Sequence, residues 1–310
     1  MTLNSNFFGY HDITQDLLDR LHLFSQYAAV AGCDQNNNST GSPLSCEYEC
    51  SLVRGTNTTT LIEFQNESIV DTTGYIALDH TRALIILAFR GNVTKPNWKA
   101  DFNFTLAAAP ELCKDCWVHQ GFWGAWEQIS PILIPVLSDA VSKNHVYSTV
   151  FVGHSLGGAI VTIVATLLRK PGNLPIDLYA FGATQIGDYP AAEAVTRLGH
   201  NRTYRVTHTD DAVPRLPGPL GQFAALFLNI TPEQGNFTQL SPEYWITADT
   251  GQPVTLADIQ YVEGIGSEDG NAGTDGSSPG VHNWHIGNMS ACITLADSGK
   301  EKCSSAWCSD

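Results

Sequence analysis

Apolar and polar positions along this chain switch repeatedly between a helical and a strand-like period. Ile13, Leu17, Leu18, Leu21, Phe24 and Ala28 recur at helical spacing and predict an N-terminal helix over residues 12–31. Residues 32–58 are polar and carry three cysteines, the pattern of a pinned surface loop. Strands are predicted at 59–65 and 69–79, and the unbroken apolar run 83–89 reads as a fully buried strand. Residues 121–142 form a long amphipathic segment that Pro131 and Pro135 are expected to interrupt. There follow a strand at 147–152, a helix at 156–169, a strand at 177–181, a helix near 190–198 and a strand at 202–207. An extra strand pair is expected within 242–263. Residues 264–280, rich in Gly, Ser and Asp, read as a long loop just before His282. Strands alternating with helices imply parallel crossover units, and hence an α/β fold.

One junction carries chemistry. The strand at 147–152 stops at Gly153-His154-Ser155-Leu156-Gly157, and helix-forming sequence resumes at once. A serine at such a strand-to-helix turn is presented as a nucleophile. Its backbone is strained, and glycines two residues before and after it remove Cβ atoms that would collide. The following helix points its free amides and positive dipole end at the place where a substrate oxyanion would form. Chance alone supplies roughly 0.1 Gly-x-Ser-x-Gly matches in a chain of this length. The β-branched and aromatic residues before the motif, and the apolar helical stretch after it, give it weight.

Size and charge narrow the setting. A chain of 310 residues with 43% hydrophobic content can bury one large core, and neither a linker nor an internal repeat divides it, so a single domain over 1–310 is expected. No apolar run approaches the length of a membrane span, and no basic leader with an apolar core precedes Asn4; the sequence reads as beginning where a mature protein would. A formal charge of −15 argues against nucleic acid or an anionic membrane as partner. It leaves neutral substrates open. Eight cysteines fall as Cys33, the pairs Cys46/Cys50 and Cys113/Cys116, Cys292, and the pair Cys303/Cys308. An even count with close pairs suits disulfides formed in an oxidising compartment, and the spacings offer no zinc site. Ten Asn-x-Ser/Thr sequons, at Asn37, Asn38, Asn57, Asn66, Asn92, Asn103, Asn201, Asn229, Asn236 and Asn288, point the same way. A secreted, N-glycosylated protein without metal or organic cofactor is expected.

A serine hydroxyl needs a base to take its proton, and the base needs a carboxylate to orient it. With a nucleophile of this kind the order along the chain is Ser, then Asp or Glu, then His. After Ser155 only His200, His208, His282 and His285 remain. The carboxylate belongs just past the C-terminal end of a strand. Asp177 opens its strand and lies at the wrong end; Asp188 is possible; the pair Asp210/Asp211, directly after the strand at 202–207, fits best. Spacing leaves Asp210 against Asp211, and His282 against His285, undecided.

The segments Phe89-Arg90-Gly91, Val152-Gly153-His154-Ser155-Leu156-Gly157-Gly158, Tyr204-Arg205-Val206-Thr207-His208-Thr209-Asp210-Asp211-Ala212-Val213-Pro214 and Ser241-Pro242-Glu243-Tyr244-Trp245-Ile246 together resemble the filamentous-fungal class 3 lipases over nearly the whole chain. The resemblance implies an α/β-hydrolase fold with a short lid over about 92–103. It also implies Asp211 as the carboxylate and His282, in His282-Asn283-Trp284, as the base. It further implies the disulfides Cys33–Cys292, Cys46–Cys50 and Cys113–Cys116. Cys303 and Cys308 lie beyond the family's usual end and are expected to pair because they are the two cysteines left over. His119 matches a family position near the elbow, where a buried structural histidine is expected.

The same resemblance puts two donors at the oxyanion: the backbone N–H of Leu156, and the residue after Arg-Gly, usually Ser or Thr but here Asn92. Asn92 also opens a sequon, and a glycan there would block the site, so it is expected to be unmodified. In the lid Trp98 is kept, whereas Lys95 and Lys99 stand where an aliphatic face is usual. Two charges weaken attraction to oil, so weak interfacial activation and a preference for partial glycerides or shorter esters are expected. The implied activity is that of a serine carboxylic-ester hydrolase, a lipase acting on tri-, di- or monoacylglycerols. A feruloyl esterase acting on plant cell-wall esters is the alternative, and a non-catalytic binding relative the remote one.

Overall fold

In the computed structural model the described residues are 13–46, 50–65, 72–91, 105–170, 174–217, 237–276, 278–290 and 292. The central layer is an eight-stranded sheet in the order β1-β2-β3-β6-β7-β9-β11-β12. Its members are β1 (Thr58–Phe64), β2 (Gly74–Asp79), β3 (Leu84–Phe89), β6 (Ser148–His154), β7 (Ile176–Phe181), β9 (Thr203–His208), β11 (Glu243–Ile246) and β12 (Ile259–Val262). The five strands from β3 to β11 run parallel, and the outer pairs are antiparallel. This is the α/β-hydrolase architecture that the resemblance implies, built on the parallel crossovers that the alternating pattern predicts. A small antiparallel sheet, β10-β8-β5-β4, joins β4 (Leu106–Ala108), β5 (Trp117–His119), β8 (Gly187–Asp188) and β10 (Phe237–Thr238).

The two-residue period of the strands divides the core. Ile85, Leu87, Phe89, Phe151 and Leu178 face the helices α2 (Gln120–Lys143), α3 (Leu156–Leu168) and α4 (Tyr189–Leu198). Their neighbours Ile86, Ala88, Val150, Val152, Tyr179 and Phe181 face α1 (Gln15–Val30) and the segment around Ile286. Helix α3 is apolar all round and buried over every residue but its last, as a helix enclosed between sheet and helices must be. Among the described residues no helix is long and apolar enough to cross a membrane.

The predicted elements fall within a few residues of their places, and the pair expected in 242–263 is β11–β12. One expectation fails. Pro131 and Pro135 do not interrupt the 121–142 segment; α2 runs unbroken for 24 residues through both. The two prolines lie four apart on its exposed side, and the Glu127 carbonyl that Pro131 orphans accepts from the Ser130 hydroxyl at 3.5 Å. The opposite face, Phe122, Trp126, Ile129, Leu133, Leu137 and Ala140, stays packed on the core. Three disulfides match those the resemblance implies: Cys33–Cys292, Cys46–Cys50 and Cys113–Cys116. Cys303 and Cys308 lie outside the described residues.

Candidate active site

Strand β6 ends in a turn whose hinge is Ser155, at φ 56° and ψ −127°. A non-glycine residue at positive φ is strained, and the packing around it holds it there. A Cβ on Gly153 would lie 2.5 Å from the Gly157 carbonyl oxygen, and one on Gly157 would lie 2.3 Å from the Arg90 carbonyl oxygen. Both glycines of the motif are therefore sterically required, the second because β3 ends against the elbow. Ser155 occupies the N-cap of α3, yet its side chain accepts no capping hydrogen bond. The hydroxyl that would ordinarily cap the helix turns instead to His282, with Oγ 2.8 Å from Nε2.

Asp211 follows β9 by a tight turn, its N–H returning to the His208 carbonyl at 3.0 Å. Its Oδ2 lies 2.8 Å from His282 Nδ1 and its Oδ1 accepts from the Val213 N–H at 2.9 Å. A carboxylate only accepts, so Nδ1 carries the imidazole proton and the bare Nε2 accepts from Ser155 Oγ–H. The two choices left open by spacing thus separate in space. Asp211 is 1% exposed and faces the imidazole, while Asp210 is half-buried beside Thr209. His282 bridges serine and carboxylate; His285 sits with Nε2 3.7 Å from the same Asp211 oxygen. Asp188 is elsewhere, capping α4 through the Ala191 N–H and accepting from the Trp117 N–H. Ser155 and His282 are only 6% and 5% exposed.

Several supports carried no sequence signal of their own. His154 Nε2–H donates to the His282 backbone carbonyl at 2.9 Å, and its ring lies 4.6 Å from the His282 ring. Burial, reinforced by the neighbouring His282, pushes the His154 pKa down to about 3, so the ring stays neutral. Burial chiefly, with His154, His282 and His208 around it, also holds His285 well below the ordinary histidine range. Asn271, from the Gly-rich loop, donates its amide to the Asp211 carbonyl at 2.8 Å. Its own N–H donates at 3.3 Å to Glu243, which pairs with Arg205 at 3.0 Å in the core. The loop that precedes His282 is thereby tied to the turn that carries Asp211. His119 is structural, as expected: Nδ1 accepts from the Gly121 and Phe122 N–H groups and caps α2. Leu156 opens α3 immediately after Ser155. Asn92, Lys95, Trp98 and Lys99 lie outside the described residues.

Comparison with known proteins places this geometry in a family. Residues 86–221 match the family model described as Lipase (class 3). The chain is 37% identical over 265 residues to a secreted mono- and diacylglycerol lipase A of Penicillium cyclopium, covering 85% of this chain and 81% of the relative. It is 33% identical over 296 residues to a secreted mono- and diacylglycerol lipase 1 of Fusarium solani, covering 91% and 80%. The crystal structure of a mono- and diacylglycerol lipase from Aspergillus oryzae superposes with a TM-score of 0.77 at 34% identity, covering 90% of this chain and 99% of that one. The chain belongs to the class 3 lipases, and it is a secreted ester hydrolase of the lipase type.

Proposed function

We propose that Ser155, His282 and Asp211 form the catalytic triad and that the preferred substrates are partial glycerides, mono- and diacylglycerols. The continuous hydrogen-bond chain, Ser155 Oγ to His282 Nε2 and His282 Nδ1 to Asp211 Oδ2, both at 2.8 Å, carries the reading. Ser155 Oγ attacks the ester carbonyl as His282 Nε2 takes its proton, forming the new O–C bond. The tetrahedral oxyanion is held by the Leu156 N–H at the start of α3 and by Asn92. In support of the second donor, Gly91 abuts the elbow, where a Cβ on it would lie 3.0 Å from Ser155 Cβ. His282 then protonates the departing glyceryl oxygen, the C–O bond breaks, and the acyl group remains on Ser155. A water, deprotonated by the same nitrogen, attacks the acyl carbonyl, and His282 returns that proton to Ser155 Oγ as the acyl C–Oγ bond breaks and the fatty acid leaves.

Asp211 fixes the tautomer and offsets the imidazolium charge in a site where that charge is poorly solvated. Ser155 is 6% exposed, and the resemblance gives residues 92–103 the part of a short lid that admits the ester. Preference for partial glycerides follows from the names of the relatives and from Lys95 and Lys99, whose charges weaken attraction to a triglyceride surface. N-glycans are expected at the exposed sequon residues Asn37, Asn38, Asn57 and Asn201.

The test is a substrate panel of tri-, di- and monoolein with methyl ferulate, run on wild type and Ser155→Ala. Hydrolysis should be fastest on the partial glycerides and fall by at least about a thousandfold in the variant. Activity that survives in Ser155→Ala sinks the triad, and a preference for methyl ferulate or triolein sinks the substrate assignment.

A further inference from the structure

His282 has a neighbour that the reaction above does not use. His285 is wholly buried, and among the described residues neither of its ring nitrogens has a hydrogen-bond partner. Buried polar groups are ordinarily paired, so two bare nitrogens on one ring call for a reason. The ring is wedged by four elements: His154 from β6 at 5.5 Å between centroids, Phe181 from β7 at 6.3 Å, His208 from β9 at 6.2 Å, and His282 from its own segment at 6.2 Å. Gly182 closes the floor, where a Cβ would meet both Cε1 and Nε2 of His285 at 2.7 Å. The ring has no room to swing. Its Nε2 lies 3.7 Å from Asp211 Oδ2, the oxygen that already accepts from His282. That gap is too long for a hydrogen bond, and a ring held neutral by burial makes no ion pair.

We propose that His285 is a positioning residue for the Asp211–His282 pair, a neutral imidazole whose Nε2–H dipole faces the Asp211 carboxylate and tempers the negative charge that His282 feels. This deepens the triad reading and rests on it. A neutral imidazole bears one N–H, and the nitrogen facing an acceptor-only carboxylate is the one that carries it. In a site this dry an oriented N–H acts on a charge beyond hydrogen-bond range. Among the described residues, the titratable groups that face the ring are His154, His208, His282 and Asp211, so the carboxylate is the only one that carries charge when the imidazoles are neutral. Because His285 stays neutral, no second imidazolium competes with His282 for Asp211 when the serine proton is transferred.

Two measurements test this. In wild-type protein with ¹⁵N-labelled histidine, NMR should find His285 neutral with the proton on Nε2 across about pH 5 to 8. A proton on Nδ1, or an imidazolium, overturns the proposal, and this readout needs neither a variant nor activity. It therefore stands apart from any failure of Ser155→Ala. In His285→Phe the dipole is gone and His282 feels the full carboxylate. The acid limb of the kcat/KM profile on a soluble ester should move up by about half a pH unit. His285→Gln, whose amide Nε2 takes the place of the imidazole Nε2, should return the limb to its wild-type position. A limb that stays put in His285→Phe, or moves equally in both variants, makes the ring mere filling and overturns the proposal.

Discussion

Gly157→Ala tests whether the elbow owes its shape to close backbone packing. The added Cβ would sit 2.3 Å from the Arg90 carbonyl oxygen, 2.4 Å from the Phe89 carbonyl oxygen and 2.6 Å from the Phe89 carbonyl carbon. All three are backbone atoms at the end of β3, which is hydrogen-bonded between β2 and β6 and cannot retreat alone. The helix must instead back away by about 1 Å to restore normal contact. Overpacking of this kind costs about 1–3 kcal/mol, and with backbone on both sides the upper end applies. Thermal unfolding should then fall by about 5 °C. Catalysis should suffer more, because the proposed nucleophile Ser155 and proposed oxyanion donor Leu156 N–H ride on the displaced turn and a 1 Å misplacement costs about a hundredfold in kcat/KM. Gly124→Ala is the control. It lies within α2 with nothing near its would-be Cβ, so it should raise stability by about 1 kcal/mol and leave kcat/KM alone. A Gly157→Ala enzyme with wild-type kcat/KM and wild-type melting would refute the packing argument.

Other expectations follow from the same packing. His154 is neutral in the folded protein with a pKa near 3, whereas an unfolded chain protonates its histidines below about pH 6.5. Stability is therefore complete above about pH 6.5 and declines towards pH 3, by up to about 1.4 kcal/mol per pH unit for this residue, with His285 adding in the same direction. Urea unfolding at several pH values reads the slope, which His154→Gln should flatten; an equal slope in the variant assigns acid sensitivity elsewhere. Glu243→Ala strands a buried Arg205 and should cost about 3–5 kcal/mol, against a smaller loss when Arg205→Met accompanies it. A double variant no more stable than the single one contradicts this. Cys33–Cys292 closes a loop of 259 residues, for which chain entropy predicts about 5 kcal/mol. Replacing both cysteines with serine should lower the melting temperature accordingly, as calorimetry would show.

The sequence exposed what is local and hid what depends on loop paths. Ser155 was legible because strand, glycine-flanked turn and helix are contiguous, and each enforces the next. The buried strands were legible because apolar runs leave few other readings. Spacing could not separate Asp211 from Asp210, or His282 from His285, since the choice depends on where two loops end in space. The resemblance implies Asp211 and His282, and the hydrogen-bond chain runs through these two side chains. The unbroken α2 was misread because prolines were weighed as local breakers, while tertiary packing of the opposite face outweighs them. Asn271 could not have been found at all, because its amide meets the Asp211 carbonyl 60 residues back in the chain.

The separation along the chain of the three residues of the proposed triad has a consequence for how the molecule can be followed in time. Ser155 and His282 are 127 residues apart, and His282 and Asp211 are 71 apart. Neither contact can form until the parallel strands between them have paired and the loop before His282 has docked. Contacts of such range are the slow ones to close, because chain entropy is lost before they return any energy. Secondary structure therefore precedes turnover during refolding, and the interval between the recovery of helical signal and the recovery of ester hydrolysis times the last topological step. The enzyme carries its own clock for the completion of its fold.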